Sequence, residues 1–322
     1  MAVVPQVSVV VASHDREARL RTLLDALAEQ TLPRDRWEVV VVHTYDPTVS
    51  AELLDGHELA SDGLLRHVRA ETATPRPSIQ RNVGWRMARG ELVAFTDDDC
   101  RPEPDWLERL VGESVAHPGA IVQGATKPDP RETHLFLEPH FRALEVDPPG
   151  RFMQTCNILY ERALLERLGG LDERAITGED IDLGLRARES GVELVPARGA
   201  VVYHAIDALS MVEKIRSQLK WQHLAYVVKR HPQLRDDCEW GIWWKPEHLR
   251  ATLALIALAG ARRRPWILAG ALPYVGLERR RHGPSKQQQL RSLRELPAHF
   301  VVELAEVATF AAGSARYRTL LL

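Results

Sequence analysis

Two runs of β-branched residues, separated by a leucine-rich segment, open the chain and constrain its fold more than any other feature. The first run is "VSVVVAS" (7–13) and the second is "WEVVVVHT" (37–44). Apolar runs of this length without polar alternation are typical of strands buried on both faces. Between them, "REARLRTLLDALAEQ" (16–30) places leucines at helical spacing. This order predicts a βαβ unit with parallel strands and a right-handed crossover.

The same reading extends along the rest of the chain. It predicts helices over 78–90, 104–118, 153–173 and 178–191, strands over 91–99 and 120–126, two short strands within 192–205, and a polar, Pro-rich loop over 127–150. From about residue 210 the pattern is helical throughout. We therefore expect an α/β domain over 1–209, with a mostly parallel, Rossmann-like central sheet flanked by helices, and a helical region over 210–322.

Polar residues follow the first two predicted strands. "SHDR" comes at the end of the first strand and "HTYD" at the end of the second. Ligands of parallel α/β sheets bind beyond the carboxyl ends of the strands. Ser13, Asp15, Arg16 and His43 are therefore candidate ligand contacts.

Three consecutive aspartates, Asp97, Asp98 and Asp99, end the strand predicted over 91–99. One explanation is a solvated turn. The other is a cation site, because Mg²⁺ and Mn²⁺ prefer carboxylate oxygens together with substrate phosphates. On an extended backbone Asp97 and Asp99 point to one side and Asp98 to the other. This geometry predicts a cation and phosphate site at Asp97 and Asp99, with Asp98 supporting the turn or touching the sugar of a ligand.

Three further segments each allow a structural and a functional interpretation. In "TGEDIDLGLRARESG" (177–191), Glu179 and Asp180 either complement a helix dipole or supply a general base. His204, at the end of "AVVYH", is either a structural residue or a metal ligand. Arg81 and Asn82, on the helix predicted over 78–90, are either surface residues or contacts to phosphate or sugar.

Composition restricts the class of protein. The chain has 322 residues, 27% of them charged, with a net charge of −2, which is ordinary for a globular protein and gives no indication of nucleic-acid binding. Three widely spaced cysteines without a CxxC motif favour a reducing compartment over a disulfide framework or a thiolate zinc site. The apolar N-terminus lacks a basic leader and a cleavage site, so we expect a strand there and a cytoplasmic protein.

The C-terminal third differs from the body of the chain. From Lys245 onward it has 13 Lys/Arg against 5 Glu and no Asp, a net charge of +8, which indicates an anionic partner. Its apolar stretches, 251–261 and 265–277, are followed by arginine triplets at 262–264 and 279–281. Each stretch is shorter than the ~20 residues that cross a bilayer. They form either a pair of core helices or a hairpin on an anionic membrane surface, such as the inner face of the plasma membrane.

Taken in order, these segments resemble the family 2 glycosyltransferases, inverting enzymes of the GT-A fold that use nucleotide sugars. "VSVVVASHDREARLRTLLDALAEQT" is similar to the opening strand and helix of that family, and "RNVGWRMARGELVAFTDDDCRPEPDWLERLV" to its central block. "CNILYERALLERLGGLDERAITGEDIDLGLRARESG" is similar to its acceptor block. The resemblance covers roughly residues 5 to 205.

The resemblance implies roles for individual residues. Asp97 and Asp99 match the DxD positions, and His204 matches a histidine that completes the binding of Mn²⁺ or Mg²⁺ in many GT-A enzymes. Glu179 and Asp180 match the ED motif, which makes Asp180 the general base. The donor is a nucleotide sugar, with a UDP-sugar favoured over a GDP- or dTDP-sugar. The acceptor is a glycan, a small molecule or a lipid-linked hydroxyl that receives a single sugar.

One position departs from the family pattern. Family members usually have an acidic pair after the second strand, where the first acid contacts the nucleobase, and this chain has His43 there. That departure leaves open a sugar-nucleotide-binding protein without catalytic activity. A nucleotidyltransferase is a weaker alternative, because "SHDREAR" has no glycine to form a phosphate loop.

Overall fold

A computed structural model describes residues 4–71 and 76–322, so the first three residues of the apolar N-terminus lie outside it. The chain forms two compact units. The first unit comprises Met1–Leu137 and Phe141–Asp207, and the second comprises Glu138–His140 and Ala208–Leu322.

The first unit is built on one eight-stranded sheet. Its strands are β1 (Val7–Ser13), β2 (Trp37–His43), β3 (Leu65–Arg69), β4 (Leu92–Asp97), β5 (Cys100–Pro102), β6 (Ile121–Pro128), β8 (Asn157–Glu161) and β9 (Leu194–His204), in the order β3-β2-β1-β4-β8-β6-β9-β5. Strands β3, β2, β1 and β4 are parallel, β8 runs antiparallel between β4 and β6, and β5 runs antiparallel to β9. The short strands β7 (Phe141–Arg142) and β10 (Asp207–Ala208) pair with each other.

Helices cover both faces of this sheet. They are α1 (Glu17–Ala28), α2 (Pro47–Ser50), α3 (Glu58–Ser61), α4 (Pro77–Met87), α5 (Trp106–Ala116), α6 (Arg162–Leu168) and α7 (Glu179–Glu189). Alternate valines of β1 point to opposite faces, because side chains alternate along a strand. Val9 and Val11 belong to one core with residues of α1 and α5, whereas Val10 belongs to a second core with residues of α4, α6 and α7. The predicted α/β fold, with its mostly parallel sheet flanked by helices, is confirmed.

Two sequence-based assignments are wrong. The helix predicted over 153–173 is in fact the strand Asn157–Glu161 followed by the helix Arg162–Leu168. A short apolar run such as "NILY" fits either structure, and pairing with β4 and β6 makes it a strand. The two short strands predicted within 192–205 form one strand, Leu194–His204, whose pairing with β6 is interrupted by an irregularity at Gly124 and Ala125.

Close packing of α4 on β1 depends on Gly84. A Cβ atom at this position would lie 2.5 Å from Cγ1 of the buried Val10, whereas a Cβ atom at Gly112, in α5, would meet nothing within 4 Å. We expect Gly84→Ala to lower the free energy of unfolding by about 1–3 kcal/mol relative to Gly112→Ala, because overpacking a rigid contact has this cost. Chemical denaturation of both variants measures the difference, and equal stabilities would show that α4 can move away from β1.

The second unit is helical, as the sequence predicts. Its helices are α8 (Met211–Gln218), α9 (Leu224–Arg230), α10 (Pro246–Gly260), α11 (Leu272–Glu278) and α12 (Lys286–Tyr317). Ala251, Ala254 and Tyr274 form a small buried cluster between α10, α11 and α12. Charged side chains are also buried there, including Glu278, Glu303 and Glu306.

Helix α12, unlike the two apolar stretches at 251–261 and 265–277, has the length to cross a bilayer. Among the described residues it is the one helix whose length and mean hydropathy satisfy that requirement, and 39% of its apolar window is buried in the protein. Buried Glu303 and Glu306 lie on this helix and form ion pairs with Arg281 and Lys245. Buried charged side chains are nearly always paired, and the pairing here is typical of a helix packed against α10 and α11.

Candidate functional site

The parallel strands bring the polar residues predicted from the sequence to one edge of the sheet. Ser13 is in register with His43 of β2, and Ala12 is in register with Asp97 of β4. The carboxyl ends of β1, β2 and β4 therefore lie side by side. Gln80 of α4 links two of them, since its Nε2 donates to the carbonyl oxygens of Ser13 and Val42 at 3.0 Å each.

The backbone at the aspartate triplet is not extended, which corrects the predicted side-chain directions. Strand β4 ends at Asp97, and Asp98 and Asp99 form a turn before β5 begins at Cys100. Alternation along a strand therefore does not apply beyond Asp97. Asp98 and Asp99 share one partner, whereas Asp97 pairs with a different arginine.

Arg16 is the partner of Asp98 and Asp99. Its Nη1 lies 2.5 Å from Asp99 Oδ2 and 3.3 Å from Asp98 Oδ1. Ser13 Oγ donates to Asp98 Oδ2 at 2.7 Å and lies 2.6 Å from Tyr45 Oη. Burial and the neighbouring Asp99 carboxylate raise the pKa of Asp98 to about 6, with Arg16 acting in the opposite direction. Arg16 thus partly offsets the repulsion between the Asp98 and Asp99 carboxylates.

Pairing of β5 with β9 brings His204 to the triplet. Cys100 is in register with His204, and the Ala205 N–H donates to the carbonyl oxygen of Asp99 at 2.9 Å. The imidazole Nδ1 lies 2.9 Å from the Ala205 carbonyl oxygen, which can only accept, so Nδ1 carries a proton. Its Nε2 lies 3.4 Å from Asp99 Oδ1, a buried oxygen without a hydrogen-bond partner among the described residues.

An imidazole nitrogen and a carboxylate oxygen at this separation are a suitable pair of ligands for a cation. A metal-binding histidine commonly donates its other N–H to a carbonyl or carboxylate, as His204 does. Cys100 belongs to the same group of potential ligands, whose ligand atoms lie within 4.8 Å of one another. Burial raises the pKa of the Cys100 thiol well above its ordinary value, so this sulfur stays protonated and is a poor ligand for a hard cation. Asp97 is outside that group.

Arg81 connects Asp97 to the start of α7. Its Nη2 donates to Asp97 Oδ1 at 2.6 Å and its Nη1 to Glu179 Oε1 at 3.0 Å. Burial by itself would raise the pKa of Asp97, but the Arg81 guanidinium outweighs it and leaves this pKa below its ordinary value. Arg81 is thus placed to hold Asp97 and Glu179, rather than at the surface.

Among the acids at this edge, Asp180 has the pKa that is raised most. It lies in the first turn of α7, after Gly178, which has the left-handed φ of 78° that glycine adopts without strain. Burial and the adjacent Glu179 raise the pKa of Asp180 to about 7, with Arg81 acting in the opposite direction. A carboxyl group that titrates near neutral pH is suited to take a proton from a hydroxyl.

Asn82 has a supporting role instead of the predicted contact to phosphate or sugar. Its Nδ2 donates to the Leu171 carbonyl and to Glu173, and its Oδ1 accepts from the Leu171 N–H and from Trp85, each at 2.9 Å. These four bonds use the full hydrogen-bonding capacity of the amide. Asn82 therefore fixes the loop that leads to α7.

His43 also lacks an available hydrogen-bonding edge. Its Nδ1 accepts from the Tyr45 N–H at 3.2 Å, so Nε2 carries the proton and donates to His67 Nδ1 at 3.1 Å. His67 Nε2 in turn lies 2.9 Å from Asp55 Oδ1. Burial, then the His67 and Arg69 charges, lower the pKa of His43 to about 4, which keeps the ring neutral. The side chains of His67 and Asp55 are more exposed than that of the buried His43.

Other residues at this edge differ in how far the sequence revealed them. Tyr45, Gln80 and His67 were missed, because nothing in their spacing distinguishes them from loop or helix residues. Asp15 was predicted as a ligand contact. It is exposed and adopts a left-handed conformation with φ of 51°, and its Oδ2 lies 3.2 Å from His14 Nε2. The triplet, Arg16, His204 and Arg81 are brought together by the fold, and Asp180 is close enough for its charge to interact with those of Asp97 and Arg81.

The profile of glycosyl transferase family 2 matches residues 8–169, which is half of the chain. The chain therefore belongs to the family 2 glycosyltransferases. Its sheet and helices have the GT-A architecture of solved glycosyltransferases.

Several proteins similar to this chain are named as glycosyltransferases. Glycosyltransferase AglE of Haloferax volcanii is 25% identical over 209 residues, 62% of this chain and 67% of the relative. Validoxylamine A glucosyltransferase of Streptomyces hygroscopicus subsp. limoneus is 26% identical over 275 residues, 74% of this chain and 60% of the relative. Glucosyl-dolichyl phosphate glucuronosyltransferase of Haloferax volcanii is 29% identical over 176 residues, 48% of this chain and 55% of the relative. The chain thus spans about 55–67% of the length of these relatives.

Solved structures share the fold at low sequence identity. The mannosyltransferase PcManGT from Pyrobaculum calidifontis, in complex with GDP-Man and Mn²⁺, aligns with a TM-score of 0.55 at 22% identity, over 98% of this chain and 87% of that one. S. aureus TarS 1–349 in complex with UDP-GlcNAc aligns with a TM-score of 0.52 at 18% identity, over 98% of this chain and 92% of that one.

Proposed function

We propose that this glycosyltransferase is a cation-dependent, inverting enzyme that moves one sugar from a nucleotide-diphosphate sugar to an acceptor hydroxyl. The observation that carries the proposal is the pair of potential ligand atoms, Asp99 Oδ1 and His204 Nε2, 3.4 Å apart at the carboxyl edge of the sheet. Asp180, which titrates near neutral pH, lies at the same edge.

In this proposal Asp180 accepts the proton of the acceptor hydroxyl. The hydroxyl oxygen forms a bond to the anomeric carbon of the donor, and the bond from that carbon to the diphosphate oxygen breaks on the opposite face, which inverts the anomeric centre. Arg81 holds Asp97 and Glu179 in place through its two terminal nitrogens. Burial and the negative charge of Glu179 raise the pKa of the Asp180 carboxyl to about 7.

Mn²⁺ or Mg²⁺ held by Asp99 and His204, with Asp97 beside them, would neutralise the charge that develops on the diphosphate. Arg16 occupies Asp99 Oδ2 and leaves Oδ1 for the cation. We propose a UDP-sugar in preference to a GDP- or dTDP-sugar as donor. Solved neighbours contain donors of more than one base, GDP-Man and UDP-GlcNAc.

Two alternatives give different results in a transfer assay and in a parallel incubation with a nucleoside triphosphate and a sugar phosphate. Purified protein is incubated with UDP-, GDP- and dTDP-sugars, Mn²⁺ and a panel of hydroxyl acceptors that includes a lipid-linked glycan, and nucleoside diphosphate and glycosylated product are both measured. The proposal predicts stoichiometric formation of both. Donor binding without product would indicate the inactive sugar-nucleotide-binding alternative, and release of pyrophosphate from a nucleoside triphosphate and a sugar phosphate would indicate a nucleotidyltransferase.

The titration of Asp180 predicts the pH dependence of transfer. A general base works only when it is deprotonated, and the pKa of this carboxyl is raised to about 7 by burial and Glu179. The rate of transfer at low donor concentration is therefore expected to rise as the pH increases through about 7. A rate that does not change between about pH 5.5 and 8.5 would contradict this role of Asp180.

We also propose that the second unit contacts an anionic membrane. Exposed apolar side chains cluster on α10, the segment Pro265–Ala271 and α11. They include Ile256 at 60%, Trp266 at 71% and Leu272 at 65% exposure. Exposed arginines at 262–264 and 279–280 flank them. Exposure on this scale disfavours the core-helix alternative, and the arginines match anionic headgroups in charge. The enzyme would then act as a peripheral protein on the inner face of the plasma membrane, where a lipid-linked acceptor is found.

Membrane contact is measured by co-sedimentation with vesicles containing phosphatidylglycerol. Leu272→Ser is expected to weaken partitioning about tenfold, because burying a leucine side chain is worth about 1.5–3 kcal/mol and the insertion is partial. Leu290→Ser is the matched control, since Leu290 is 63% exposed but lies on α12. Equal loss in both variants, or equal binding to neutral vesicles, would rule out this surface.

A further inference from the structure

A second group of metal-ligand residues lies in the helical unit, outside the donor site. His282 follows α11, and Glu295 and His299 lie one turn apart on α12. Their ligand atoms lie within 4.8 Å of one another. The side chains are mostly buried, with exposed fractions of 11% for His282, 16% for Glu295 and 7% for His299.

His299 is oriented as a metal ligand would be. Its Nδ1 donates to Glu278 Oε2 at 3.0 Å, and Arg281 in turn donates to Glu278 at 3.2 Å. A carboxylate on Nδ1 is the usual outer partner of a metal-binding imidazole, whose Nε2 then binds the metal. Nε2 of His299 lies 3.8 Å from Glu295 Oε2, beyond hydrogen-bond distance. As at Asp99 and His204, an imidazole nitrogen faces a carboxylate oxygen.

The other two ligands complete the group. His282 Nε2 lies 2.7 Å from the same Oε2 of Glu295, while Arg291 Nε donates to Oε1 at 2.8 Å. Arg291 thus binds one oxygen and leaves the other directed at the two imidazoles.

The distances within this group are close to those that one ion requires. Ligand atoms that each bind Zn²⁺ at about 2.0–2.2 Å lie at most about 4.4 Å from one another. The separations of Glu295 Oε2 from the two imidazole nitrogens, 2.7 and 3.8 Å, are below that limit, and all three ligand atoms lie within 4.8 Å of one another. Two imidazoles and one carboxylate favour a first-row transition metal such as Zn²⁺ over Mg²⁺, which prefers oxygen ligands.

We propose that His282, Glu295 and His299 bind Zn²⁺, with Glu278 orienting His299, and that this ion links the turn after α11 to α12. His140 is a further imidazole of this unit, with its ring centroid 6.0 Å from that of His299. The ion takes the place of the proton between His282 and Glu295, so the two imidazoles must be unprotonated for it to bind. This site is independent of the donor site and of the proposed transfer reaction.

A nearby group of similar composition provides the matched control. His248, Glu303 and Glu306 also lie close together, but the Lys245 ammonium is 2.5 Å from Glu306 Oε2 and already supplies a cation there. His248 Nε2 lies 2.9 Å from the same oxygen. Burial by itself would raise the pKa of Glu306, but His248 and Lys245 outweigh it and lower it to about 2. We expect no metal at this second group.

Zinc binding is tested on the full chain, which is treated with chelator, dialysed and then incubated with excess Zn²⁺ before gel filtration. The bound zinc is counted by mass spectrometry of the gel-filtered protein, and Co²⁺ is used in parallel because tetrahedral Co²⁺ absorbs visible light. Wild type is expected to hold one more equivalent of Zn²⁺ than His282→Gln or Glu295→Gln, and His248→Gln to match wild type. Glu278→Gln is expected to weaken affinity roughly 10–100-fold. The circular dichroism spectrum checks folding of each variant.

Three results would overturn the proposal. They are no zinc on wild type, equal zinc on wild type and on His282→Gln, or the loss of zinc in His248→Gln alone. Because His282 lies in a turn between helices, its replacement by glutamine leaves the helices intact. Loss of zinc with retained donor-dependent product formation would separate this site from the donor site.

Discussion

Asp180→Asn is expected to reduce sugar transfer by about 10²–10⁴-fold, the usual contribution of a general base. Asparagine keeps the size and most hydrogen bonds of the side chain, including the bond that Oδ1 of Asp180 accepts from the Ile181 N–H at 2.9 Å. It cannot accept the proton of an acceptor hydroxyl. Binding of the donor should stay close to that of the wild type, because the proposed cation ligands and Arg16 are unchanged. Initial rates and donor titrations of the same preparation measure both quantities.

Asp62→Asn is the control for this experiment. Asp62 is an exposed aspartate that pairs with Arg34 and precedes β3, at the edge of the sheet opposite the site. Its replacement should leave transfer at the wild-type rate. Near-normal turnover in Asp180→Asn would exclude Asp180 as the base. Loss of donor binding together with turnover would assign it a structural role at the start of α7.

Asp99→Asn is expected to have the second large effect, on cation dependence. Its Oδ1 is the buried oxygen that faces His204, and an amide at this position has a weaker attraction for a divalent ion. A cation typically contributes several kcal/mol to the stabilisation of a developing charge, and about 1.4 kcal/mol corresponds to tenfold in rate. We therefore expect transfer to fall by about 100-fold or more at a fixed Mn²⁺ concentration.

His204→Gln tests the same site from the other side. Loss of the imidazole should raise the Mn²⁺ concentration needed for half-maximal rate in the same direction as Asp99→Asn. Asp62→Asn again serves as the control. Transfer by Asp99→Asn with wild-type Mn²⁺ dependence would show that the cation, if required, binds elsewhere. Thermal unfolding of each variant verifies that Arg16, which keeps Asp98 as a partner, still holds the turn.

The sequence predicts β1, α1 and β2 well because their signals are local, whereas β3 (Leu65–Arg69) was not predicted. Strands β1 and β2 are continuous β-branched runs, and α1 has a leucine stripe, so neither depends on distant partners to be recognised. Strand β8 does. "NILY" is compatible with the helix that follows it until β4 and β6 are placed on either side.

At the site, the sequence identified most of the acids but not their partners. The triplet, Glu179 and Asp180 follow from motif order, whereas the pairing of Arg16 with Asp98 and Asp99 and of Arg81 with Asp97 and Glu179 comes from tertiary contacts. The turn at Asp98 removes the basis for the expectation that Asp97 and Asp99 point the same way, and the two carboxylates pair with different arginines. His204 reaches the triplet only because β5 crosses to pair with β9, and no local pattern encodes that pairing.

Isothermal titration calorimetry of UDP tests the central claim, that the carboxyl edge of the sheet binds a nucleotide diphosphate through a divalent cation held by Asp99 and His204. The titration is made with Mn²⁺ present and again with excess chelator, on wild type and on Asp99→Asn. The proposal predicts binding by wild type with Mn²⁺, and affinity at least about tenfold weaker both in chelator and in the variant. Equal affinity in all of these conditions would contradict it.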